Sequence, residues 1–200
     1  MGIEKGWTTA MKLMEDRIRK DGIIEDGDVL KVGMFLNQQI DVCFISELAK
    51  EFYRLYKDEG INKILTIEAS GIGLACLCAV PFDVPVVFAK KSRASTQTGD
   101  MYTASVHSFT HGNTYDAIVP KSMLSENDRL LLIDDFLAHG AALYGLLSIV
   151  KQSGAHLCGC AIAIEKAFQG GGDKLRAEGV RIDSLACIAS MSPTDGITYR

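Results

Sequence analysis

The sequence predicts an α/β domain whose mainly parallel central sheet is flanked by helices. Three observations carry that expectation. Several apolar runs of strand length are continuous rather than alternating, as strands covered on both faces require. Helical patterns separate most of them, and glycines stand where those helices should stop.

Taken in order, the first forty residues read as a helix plus a short strand around "VLKVGMFL" (Val29 to Leu36), set before the alternating unit as a hood. "DVCFISELAKEFYRLYKDEG" follows, with Val42, Ile45, Leu48, Ala49, Phe52 and Leu55 on one helical stripe, Asp41 as N-cap and Gly60 as stop. "INKILTI" (Ile61 to Ile67) and "VPVVFA" (Val84 to Ala89) are the next strands. "KKSRASTQTGDMYTASVHSFTH" (Lys90 to His111) is long, polar and strand-like towards its end, which suits a mobile functional loop. "YDAIVP", "RLLLID", "LCGCAIAI" and "VRIDSLACI" complete the strands; "GAALYGLLSIVKQSG" is a second helix, and "GGG" (Gly170 to Gly172) a turn before "DKLRAEG". The expected organisation is one domain over 1–200, with 1–40 as N-terminal extension and hood and 90–111 as a mobile active-site loop.

Two hundred residues suffice for one sizeable core. A net charge of −4 argues against a surface for nonspecific nucleic-acid binding but leaves room for a local positive pocket. No apolar stretch reaches membrane-spanning length, and "MGIEKGWTTAMKLMEDRIRK" has no signal-like apolar core, so a cytoplasmic location is expected. The six cysteines lack C-x-x-C spacing and stand among apolar residues, where free thiols act as small buried hydrophobes.

In an open parallel sheet, ligands gather at the carboxyl ends of the strands. After "RLLLI" come Asp134 and Asp135, a short loop, and a helix starting near Gly140. Helix-start N–H groups attract phosphate, and nearby carboxylates accept from hydroxyls, a combination that suits a sugar phosphate. Exposed capping residues would produce the same spacing. "IEASGIG" (Glu68 to Gly73) fits a second phosphate-binding turn or an ordinary tight turn; it is neither a dinucleotide fingerprint nor a nucleophile elbow. Lys90, Lys91 and Arg93 form either a solvated basic run or a diphosphate partner. Lys166, closing "IEK", is placed to donate to a ring carbonyl or is an exposed strand-end lysine. His107 and His111 are four apart in a non-helical segment, and with His139 and His156 they make no metal set.

"LLIDDFLAHGAAL" resembles the phosphoribosyl diphosphate (PRPP) motif of type I phosphoribosyltransferases: apolar strand, two acids, phosphate loop, helix. "VLKVGMFLNQQID", "TIEASGI", "TASVHSFT", "LLIDDFLAHG", "SIVKQSGA" and "AIEKAFQ", in that order, are similar to the bacterial xanthine-using branch of that family. The resemblance runs from about Met11 onward, and the first ten residues overhang it. It implies the type I phosphoribosyltransferase fold, with hood and flexible loop. Asp134 and Asp135 would hold the ribose hydroxyls, and Ala138, His139, Gly140, Ala141 and Ala142 the 5′-phosphate. Glu68, Ala69, Ser70 and Gly71 would form the diphosphate loop beside Lys90, while Leu30, Asn37 and Lys166 would contact the purine. The segment from Ser92 to about His107 would close over them.

The same resemblance implies purine salvage: PRPP and xanthine give xanthosine 5′-monophosphate and diphosphate. Mg²⁺ would be bound mainly through PRPP, with no dedicated metal site on the protein, and the enzyme would be a homodimer. Guanine or hypoxanthine as substrate, and a non-catalytic PRPP or purine sensor, are the competing expectations. The chain departs from the family in its phosphate loop, where His139, Ala141 and Ala142 replace a threonine-rich set, and in Lys90–Lys91, where Arg-Lys is frequent.

Overall fold

A computed structural model describes residues 9–92, 99–108 and 113–200 of the chain. In chain order the elements are α1 (Thr9–Asp21), β1 (Ile23–Glu25), β2 (Val29–Lys31), a π-type turn (Gly33–Asn37), α2 (Val42–Tyr56), β3 (Lys63–Ile67), α3 (Ser70–Phe82) and β4 (Val86–Ala89). There follow β5 (Met101–Ser108), β6 (Asn113–Pro120), β7 (Arg129–Leu137), α4 (Ala141–Ser153), β8 (His156–Lys166), α5 (Gly171–Ala177), β9 (Ile182–Ser192) and β10 (Gly196–Tyr199).

The central sheet has strand order β10-β9-β8-β7-β3-β4; it is parallel except for β10, which returns antiparallel along β9. Its continuous apolar strands serve two cores at once. Ile64, Leu131 and Ile133 face α1, α2 and α3, while Leu65, Leu130 and Leu132 face α4 and the β5–β6 ribbon. Each such side chain, buried completely, contributes roughly 1.5–3 kcal/mol. Asp41 caps α2 as its sequence position suggests, accepting from the Phe44 amide at 3.1 Å. Among the described residues no helix is long and apolar enough to cross a membrane.

Four local features differ from the sequence reading. The strand expected over Val29 to Leu36 stops at Lys31, because adjacent Phe35 and Leu36 both enter one core, which strand alternation forbids. "YDAIVP" pairs with β5 in a separate antiparallel ribbon, joined to the end of β4 by a bridge between Lys90 and Ile118. Met101–Ser108, within the expected loop, is a strand; residues 93–98 and 109–112, which include Arg93 and His111, lie outside the described residues, as do 1–8. Two of the six cysteines, Cys43 and Cys76, are exposed on the outward faces of α2 and α3 rather than buried. All six are free thiols, and burial pushes Cys160 up to about 12.

Candidate active site

A cleft of about 520 Å³ opens at the carboxyl ends of β7 and β8. It lies where an open α/β sheet is expected to place its ligand. Strand β7 continues to Leu137, so Asp134 and Asp135 belong to the strand itself and are held by its pairing with β8. They are 6% and 5% exposed, which excludes the capping-turn alternative. Both carboxylates reach the first turn of α3, Asp134 beside Gly71 and Asp135 beside Ser70. Asp134 lines the cleft, while Asp135 accepts from Asn37 Nδ2 at 3.0 Å and Ser70 Oγ at 2.9 Å. Burial, and then the Asp135 carboxylate, push Asp134 well above the usual carboxylate range. The positive charge of Lys91 pulls weakly the other way.

Beyond Leu137 the chain turns through Ala138 and His139 to Gly140, whose φ of +87° suits glycine and sets the start of α4. Ala138, His139, Gly140, Ala141 and Ala142 all line the cleft. With no side-chain hydroxyls there, the turn offers an anion mainly its backbone N–H groups and the positive end of α4.

The second strand end places Glu68 and Ala69 between β3 and α3, joined by a cis peptide. Glu68 Oε1 accepts from the Lys91 amide at 2.5 Å, which ties this turn to the end of β4. Ser70 and Gly71 open α3. A Cβ on Gly71 would stand 3.1 Å from Asp134 Oδ1 and collide with Thr66 Oγ1, so only glycine lets the helix lie this close to the acids. Sequence reasoning missed α3 because its glycines and Pro81 weaken the helical pattern, although Leu74, Ala75, Cys78 and Ala79 form its buried stripe.

The purine-side candidates divide. Lys166, at the end of β8, is half-buried in the cleft wall; its Nζ donates to the Asp28 carbonyl at 2.7 Å and lies 5.4 Å from the Phe136 ring centroid. Burial lowers its pKa. Asn37 reaches the site through Asp135. Leu30 instead points into the core, and its neighbours Asp28 and Val29 line the cleft. Lys90 sits in the bridge to Ile118, whereas the next residue, Lys91, holds its ammonium 5.2 Å from the Tyr115 ring centroid. Tyr115 and Phe136 were not singled out from sequence, where an aromatic in a strand reads as core. His107 lines the cleft with Nδ1 3.2 Å from Thr114 Oγ1, and His156 begins β8 at the opposite end of the sheet. Among the described residues no three His, Cys, Asp or Glu side chains converge as a metal cluster.

The fold, with its cleft at the carboxyl edge of a parallel sheet, belongs to a known class. The phosphoribosyl transferase domain family matches residues 32–180, and the chain belongs to that family. Within it, the xanthine phosphoribosyltransferase of Lachnoclostridium phytofermentans is 54% identical over 186 residues, covering 93% of this chain and 96% of that one. The xanthine phosphoribosyltransferase of Bifidobacterium longum subsp. infantis is 50% identical, with 95% and 100% covered. Among solved structures, the Giardia lamblia adenine phosphoribosyltransferase complexed with 9-deazaadenine superposes with a TM-score of 0.73 at 22% identity, covering 86% of this chain and 96% of that one. The Rhodothermus marinus adenine enzyme gives 0.71 at 19%, covering 88% and 97%. At those identities the shared property is the fold.

Proposed function

We propose that this chain is a xanthine phosphoribosyltransferase of purine salvage, joining a ring nitrogen of xanthine to C1′ of PRPP and releasing diphosphate. The observation that carries the reading is the convergence on one cleft of Asp134, the Ala138–Ala142 turn and Lys166. The close curated relatives bearing that name support the choice of base.

In this reading Asp134 and Asp135 hold the ribose hydroxyls, and the Ala138–Ala142 backbone wraps the 5′-phosphate. Glu68 to Gly71, with Lys90 and Lys91 beside them, face the diphosphate. Lys166 donates to the 6-oxo group of the base, with Asn37 and the Leu30 segment of the hood alongside. Bond breaking leads bond making, so C1′ carries positive charge, and the chain's task is positioning and electrostatic complementarity. The cleft offers hard oxygen donors, the Asp134 carboxylate among them, and these suit a magnesium ion that would be carried mainly by PRPP with waters retained. When bound, the ion neutralises charge on the departing diphosphate. The reading includes a cytoplasmic homodimer.

The test is a panel of xanthine, guanine, hypoxanthine and adenine with PRPP and Mg²⁺, followed by diphosphate release. Xanthine should be used best; preference for another base overturns the substrate assignment, and no release with any base points to a sensor. Lys166→Ala should raise the xanthine KM at least about tenfold with PRPP binding nearly intact, since a buried hydrogen bond to a charged donor is lost. Equal loss of PRPP binding removes the assignment of Lys166.

A further inference from the structure

Behind the Ala138–Ala142 turn lies a second polar cluster, which the proposed reaction does not use. Glu165 precedes Lys166 on β8 and points the other way, completely buried. Arg176 of α5 grips it with two parallel bonds, Nη1 to Oε1 at 2.7 Å and Nη2 to Oε2 at 2.6 Å. Ser184 Oγ of β9 adds a third at 2.6 Å. Such a bidentate, fully bonded pair fixes direction as well as distance.

What it fixes is the first turn of α5. A Cβ on Gly172 would collide with Glu165 Oε1 and lie 2.8 Å from Arg176 Nη1. One residue earlier, a Cβ on Gly171 would stand 2.5 Å from the His139 carbonyl carbon and 2.7 Å from the Gly140 nitrogen. The Gly171 amide donates to the Ala138 carbonyl at 3.2 Å. The Gly171–Gly172 pair is therefore a two-sided spacer with no side chains, Gly172 bearing on the carboxylate and Gly171 on the cleft turn. The Leu175 side chain fills the adjoining space, 3.3 Å from where a Cβ on Gly140 would be.

We propose that Glu165, through Arg176 and the Gly171–Gly172 start of α5, is a positioning residue for the backbone of Ala138–Ala142. The proposal rests on the reading of that turn as the 5′-phosphate site. Because Lys166 is the next residue on the same strand end, one buried carboxylate sets the place of the phosphate turn relative to the base-contacting lysine. A turn that binds through backbone N–H groups, with alanines where hydroxyls would adapt, depends more heavily on such outside support.

Steady-state kinetics of Glu165→Gln and Gly171→Ala, with amide hydrogen exchange over residues 138–142, tests it. Glu165→Gln keeps the shape and removes the charge, and should raise the PRPP KM about tenfold, with xanthine KM and kcat within about twofold, since a small misplacement is enough. Exchange at the turn should quicken, and Gly171→Ala, which pushes on the turn directly, should show the same selectivity. PRPP and xanthine KM rising together, or unchanged amide protection, overturns the proposal. If Glu165→Gln does not fold, Ser184→Ala, which removes one bond to the carboxylate, should shift the PRPP KM the same way by about twofold to threefold; no shift overturns it. A wild-type protein inactive with every purine defeats the functional reading, while exchange in the variants still decides whether Glu165 holds the turn.

Discussion

Glu165 and the Asp134–Asp135 pair are buried carboxylates on neighbouring strands, both at the carboxyl edge of the sheet, yet their charges are treated in opposite ways. Glu165 has a guanidinium and a hydroxyl on its oxygens, and those bonds outweigh its burial and hold it below the ordinary value of 4.5. Asp135 has two neutral donors, and Asp134 spends Oδ1 on the following amide at 3.0 Å. Among the described residues neither aspartate is in an ion pair. Burying charge without compensation is costly, and proteins retain it where a ligand is to complete the bonding. The comparison separates a buried carboxylate whose charge is fully matched from a buried pair whose charge is not.

The contrast breaks most visibly when Arg176 is removed. Arg176→Met strands a fully buried Glu165 charge and should destabilise the fold by about 3 kcal/mol, the low end for a buried pair because the guanidinium is partly exposed. That corresponds to a fall of roughly 6–12 °C in Tm for a chain of this size. A shift of under about 2 °C would mean that Glu165 protonates or hydrates without difficulty.

Removing the aspartate charges should act on catalysis instead. Asp134→Asn with Asp135→Asn should lower PRPP-dependent turnover at least about a hundredfold while Tm holds or rises, the trade expected where function retains strained charge. Unchanged turnover would remove their proposed ribose role.

The smallest and sharpest difference is in pH dependence, measured by urea unfolding. The folded-state pKa of Asp134 is raised, so its contribution to stability is complete below the ordinary 3.8 and is lost as pH rises through the folded value. Asp134→Asn should therefore gain on wild type as pH increases. The folded-state pKa of Glu165 is lowered, so its contribution is complete above 4.5 and fades as pH falls through the folded value. Glu165→Gln should be the weaker protein at neutral pH and converge with wild type in acid. Parallel curves for the two variants would erase the distinction.

The sheet was legible because parallel strands leave continuous apolar runs, and the acid pair because charges following such a run are conspicuous. Strand-end logic brought the loop before Gly140 and Lys166 to the sheet's carboxyl edge but left a bland exposed reading open for each; both line the cleft. Helix α3 could not be read this way, since its packing face is built from Leu74, Ala75, Cys78 and Ala79 amid residues of low helix propensity. Nor could the place of Lys91 beside Tyr115, since the end of β4 is set by the bridge to Ile118, a contact between distant segments. The Gly171–Gly172 pair shows the same limit. Its information lies in absent side chains, and hydrophobic periodicity cannot register what is missing.

The Asn37–Asp135 hydrogen bond joins positions 98 residues apart in the chain, one on the hood and one on the central sheet. It makes the hood and the acid pair thermodynamically linked partners. Any group that competes for Asp135 changes the free energy of rearranging Asn37, and anything that draws Asn37 away changes the affinity at Asp135 by the same factor, in either order of arrival.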